Sequence, residues 1–107
     1  MTSGEEASTF KLKLRDIKAK IVYYENQKHL ASQEMSIVRQ KLEDIDHFFG
    51  NFGYENEFNC VTQMVANERV AKEVRFDKIA LDIQHFNDKL VDLNDQIHLL
   101  NVKEFLK

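Results

Sequence analysis

"DHFFGNFGYENEFN" (46–59) is the one stretch where the chain changes character. It holds both internal glycines, Gly50 and Gly53, with Phe48, Phe49 and Phe52 beside them. On either side the sequence reads as long, heavily charged helix. The stretch is therefore the bend of a helical hairpin, a break between two coils, or a recognition site. Gly50 can take the left-handed turn that ends a helix, and the three phenylalanines can cover the end of a bundle. We take Gly50, Phe52, Gly53 and Tyr54 as the bend. Display of Phe52 and Tyr54 to a partner is the second reading.

Composition leaves room for few turns. There is no proline and there are three glycines in 107 residues, where an ordinary domain carries about 5% proline, placed mostly at turns. Few turns mean few, long elements. With 43% hydrophobic and 31% charged residues, one small helical domain is expected.

From Phe10 the apolar residues step by four and three along one seam: Phe10, Leu14, Ile17, Ile21, Tyr24, Lys28, Ala31, Met35, Val38, Leu42, Ile45, Phe49, Phe52. Only Lys28 interrupts it. This spacing keeps one stripe against a partner helix and is the pattern of a coiled coil. A second seam runs Phe76, Ile79, Ile83, Phe86, Leu90, Leu93, Ile97, Leu100. Between them, "NERVAKEVR" (67–75) places its apolar residues at Val70, Ala71 and Val74, which do not continue that register. A stutter or a locally widened bundle is expected there.

The reading is an all-α fold, a long antiparallel helical hairpin of coiled-coil type, assembled into a dimeric or hetero-oligomeric bundle. An acidic lead-in covers residues 1–9, then come a helix over 10–49, a bend over 50–56 and a helix over 57–106. The helix start is placed between residues 4 and 10, with Ser3, Ser8 or Thr9 as candidate caps. A pairing with its midpoint at Gly53–Tyr54 sets Leu14 against Leu93, Ile17 against Leu90, Ile21 against Phe86, Tyr24 against Ile83 and Ala31 against Phe76. These residues, with Ile17, Ile21, Tyr24, Ile83, Phe86, Leu90 and Leu93 at the centre, are the expected packing interface. A shift of one heptad either way preserves both seams. On the flanks, Glu34 would attract Arg75 and Lys41 would attract Glu68, while Lys20 would repel Lys89.

The rival is a parallel dimer of two long chains with a break at 50–56. Lys20–Glu25, Glu34–Arg39 and Lys41–Asp46 favour it, and a buried lysine can set register in such dimers. The bulk of Phe10, Tyr24 and Phe49 argues for the hairpin. Tyr23, Leu30 and Ile37 form a further stripe beside the first seam, which a lone pair of helices leaves in water. It is the expected partner-facing surface of a bundle of more than two helices.

Chemistry finds little support. His29, His47, His85 and His98 lack metal-ligand spacing, and solvent-facing or partner-facing roles suit them better. Cys60, the single cysteine, has no indicated base and excludes an internal disulfide framework. Asp44, Asp46, Glu55 and Glu57 do not form a calcium loop. No catalytic residue, metal, cofactor or small-molecule substrate is assigned. "KLKLRDIKAK" (11–20) carries five basic residues and one acidic and could meet phosphate, acidic lipid or an acidic tail. In the hairpin, Asp82, Asp88, Asp92 and Asp95 would neutralise it. A formal net charge of −3 gives no general attraction to nucleic acid.

No run reaches the roughly 20 apolar residues of a membrane span, and "MTSGEEASTF" has no signal-peptide character. Cytoplasmic residence is expected, with the nucleus as the alternative. The expected role is a non-enzymatic protein–protein interaction module. It would act as scaffold, spacer or oligomerisation element, with itself or with other coiled-coil subunits as partner. The alternative is a small helical chaperone or cargo adaptor that binds a client helix.

Overall fold

The computed structural model describes residues 3–52 and 60–107, with side chains described for 8–50 and 63–107. Two helices, α1 (Ser3–Phe52) and α2 (Cys60–Phe105), form an antiparallel hairpin. Among the described residues only Leu106 and Lys107 lie outside helix. Two compact units divide it: Met1–His29 with Gln84–Lys107, the terminal unit, and Leu30–Ile83, the bend unit.

α1 begins at Ser3, inside the stretch expected as a lead-in, and runs through Gly50 to Phe52. Gly50 is helical, has no left-handed backbone angle, and has nothing within 4 Å of where a Cβ would stand. The expected helix-ending turn at Gly50 is therefore corrected. One glycine costs a helix only about 1 kcal/mol, and burial of the adjacent Phe49 outweighs that. Phe52 closes α1; the expected bend at Gly53 and Tyr54 lies outside the described residues.

The α1 seam is seated as its spacing requires. Each position from Phe10 to Phe49 is half-buried or buried, Lys28 included. Along α2 the inward positions are Val65, Arg69, Lys72, Phe76, Ile79, Ile83, Phe86, Leu90, Leu93, Ile97, Leu100 and Glu104. Their steps alternate four and three without a break. The expected stutter is thus absent: Arg69 and Lys72 occupy two seam slots, and Val70 and Val74 face outward. Long basic side chains can do this, because their methylene stems cover apolar surface while their heads reach the rim.

Candidate interaction surface

In the bend unit, Val38, Phe49 and Ile79 are the buried hydrophobic residues among those described, and Ile79 is only 1% exposed. Around them the polar heads of the seam are paired. Arg69 donates from Nη2 to Asp46 Oδ1 at 3.0 Å and from Nη1 to Glu73 Oε1 at 2.7 Å. Lys72 Nζ lies 3.0 Å from Glu68 Oε1. The Arg39 guanidinium stands 5.7 Å from the centre of the Phe76 ring, a contact worth about 0.5–1 kcal/mol at an exposed site. On the other flank Arg75 donates from Nε to Glu34 Oε1 at 2.8 Å, and from Nη2 to the same oxygen. Glu34 and Arg75 therefore meet as their flanking positions suggest. Lys41 and Glu68 share a groove with Ile45 and Lys72, but the ion pair of Glu68 is with Lys72.

In the terminal unit Leu93 is buried, and Ile17, Ile21, Phe86 and Leu90 are half-buried around it. Tyr24 is also half-buried, its ring 6.2 Å from that of Phe86 and tilted by 41°. Tyr23 meets Tyr24 edge-on at 5.2 Å. Ile83, in the bend unit, is half-buried as well. Each residue of the expected packing set thus faces inward.

Apart from the Glu34–Arg75 pair, the contacts across the seam are not the expected ones. In the bend unit, Asp46 meets Arg69 and Arg39 covers Phe76, about one heptad further along α2 than a midpoint at Gly53–Tyr54 allows. In the terminal unit the same displacement appears. Phe10 and Lys13 share a groove with Leu100, Lys103 and Glu104, which brings Leu14 level with Leu100 rather than Leu93. The pairing of Leu14 with Leu93, Ile17 with Leu90 and Ile21 with Phe86 is corrected by one heptad toward the C-terminus. Both alternatives bury the same seams; α1 continuing to Phe52 and α2 starting at Cys60 move the midpoint. The shift also overturns the expected cover of 11–20 by Asp82 and Asp88, since α2 meets Lys13, Asp16 and Ile17 with Gln96, Leu99, Leu100 and Lys103.

Of the further stripe, Tyr23 in the terminal unit and Leu30 and Ile37 in the bend unit are all more than half exposed. Sequence reasoning missed a second set on α2. Val70, Val74 and Leu81 in the bend unit, and Val91 and Leu99 in the terminal unit, are exposed too. Val70, Val74 and Leu81 follow steps of four and seven on the outer face, a signal hidden while these valines were read against the inner seam.

Among the described residues, no group of three or more His, Cys, Asp or Glu is placed to hold a metal, and no helix is long and apolar enough to cross a membrane. No protein-family model matches the chain, and no curated protein or solved structure matches it significantly.

Proposed function

We propose that this hairpin is a non-enzymatic interaction module that joins protein helices, its own copies or other coiled-coil subunits, as a scaffold or spacer within a larger assembly. The observation that carries the reading is its surface. Leu30 and Ile37, 57% and 58% exposed, lie seven residues apart on one face of α1, and Val70 and Val74 stand exposed on α2. Four hydrophobic residues, Val38, Phe49, Ile79 and Leu93, form the buried core among the described residues. A thin core with wide outer apolar faces is what a subunit of a helical bundle presents.

Sedimentation of the purified chain, alone and with Leu30→Glu/Ile37→Glu, tests the proposal. A stable oligomer that the double variant dissociates is the expected result. A monomer of loose packing that sharpens only when a client helix is added would replace the scaffold by the adaptor. A well-packed monomer that binds no helix would end both.

A further inference from the structure

One flank of the terminal unit is built differently from the same flank of the bend unit. In the bend unit, Glu34 on α1 and Arg75 on α2 close it with an ion pair. In the terminal unit this flank has no such pair, and a lysine stands on each wall, Lys13 on α1 and Lys103 on α2. They border a groove of about 360 Å³ with Ile17 and Leu100 along its floor and Leu99 opening onto it. The groove continues past Phe10. Leu99 is 58% exposed. Among the described residues of this unit, Lys107 is the one lysine or arginine with an ion pair, to Glu104 at 3.4 Å. Asp16 and the neutral Gln96 complete the rim, so the walls keep an excess of positive charge.

From this we infer that the groove docks an amphipathic helix of a partner protein whose apolar row is flanked by carboxylates. The inference rests on the interaction-module reading and names the chemistry of one partner. An interhelical groove accepts side chains repeating at three and four residues, which is the spacing of a third helix. Lys13 and Lys103 border the same groove, so acidic flanks on the incoming helix meet positive charge on both walls. Positive charge on both walls discriminates against a basic helix as firmly as it selects an acidic one. The floor lies between two helices, which suits a third helix, and an acidic lipid surface is the outcome the vesicle arm tests.

The probes are two synthetic helical peptides with the same Leu/Ile seam, one flanked by Glu and the other by Lys, titrated into the isotope-labelled full chain. The Glu-flanked peptide is expected to bind about tenfold tighter, with the largest chemical-shift changes at Ile17, Leu99 and Leu100. Lys13→Glu/Lys103→Glu, both at exposed positions, keeps the helical circular dichroism and inverts the preference. A preference the double variant leaves unchanged overturns the inference, as do shifts centred on Leu30 and Ile37. It is equally overturned by a groove already covered by a second copy at working concentration, or by phosphatidylserine vesicles shifting these residues while neither peptide does. If the chain still assembles through Leu30 and Ile37, the interaction module stands and this groove is not its acidic-helix site. Failure to bind any helix or copy removes both.

Discussion

Replacing Arg69 and Lys72 together by leucine should stabilise the hairpin. The two side chains are 32% and 26% exposed, so their slots withdraw about two-thirds to three-quarters of a side chain from water. Full burial of a leucine is worth about 1.5–3 kcal/mol, hence about 1–2 kcal/mol in either slot. Against this stand the methylene stems already covering part of the seam, and three ion pairs, with Asp46, Glu73 and Glu68. Those carboxylates are 57%, 54% and 56% exposed, so each pair contributes at most about 1 kcal/mol and the freed acids return to water at little cost. With about 0.5 kcal/mol for each pair and the stems' share subtracted, the balance is a gain of up to about 1 kcal/mol for the double variant. For a chain of this size that gain raises Tm by about 4–8 °C per kcal/mol. Helical circular dichroism through thermal and urea unfolding measures it, with sedimentation confirming an unchanged oligomeric state. A double variant that melts well below the parent would mean that the ion pairs outweigh an apolar seam, and the physical account of 67–75 given above would be wrong.

Ile79→Ala should cost about 2–5 kcal/mol in urea unfolding, because Ile79 is 1% exposed. Val74→Ala, at a position 65% exposed, should change stability by no more than about 0.5 kcal/mol, and the opposite order would mean that α2 presents its other face. The register is open to a direct chemical test in a Cys60→Ser background. Leu14→Cys with Leu100→Cys should close a within-chain disulfide in dilute protein, whereas Leu14→Cys with Leu93→Cys should not, since closure needs Cα atoms within about 7 Å. Preferential closure of the second pair would restore the unshifted register.

The α1 seam was legible residue by residue because an unbroken run of four- and three-residue steps has only one inward face. The same rule could have carried α2 through 67–75. Stepping back from Phe76 by four and then three lands on Lys72 and Arg69, but hydropathy counts these as polar and drew the reading to Val70 and Val74. Register was hidden for a different reason. A seam moved by one heptad meets an identical seam, so packing alone cannot choose. What chooses is local: the Asp46–Arg69 pair and the continuation of α1 past Gly50. The expectation at Gly50 failed because its freedom to turn is only a permission, and burial of the adjacent Phe49 prevailed. The lysine-walled groove followed the register: with Leu14 opposite Leu93, Lys13 and Lys103 do not border one groove.

The region 67–75 also bears on function. A helix that had only to close the hairpin would do better with its valines inside and its arginine and lysine outside. Here the order is reversed: Arg69 and Lys72 lie in the seam while Val70 and Val74 stand in water. Helix propensity does not explain those valines, since a β-branched residue is a poorer helix former than alanine, lysine or glutamate at an exposed site. Nor does solubility, which outward charge serves better. An apolar residue that lowers helix stability and gains no burial within its own hairpin is accounted for when another surface covers it. The same reasoning applies to Val91 of α2 and to Ile37 of α1, both exposed. Assembly of the kind we propose would recover the cost of these side chains, which is the physical basis for reading the hairpin as one part of a larger helical structure.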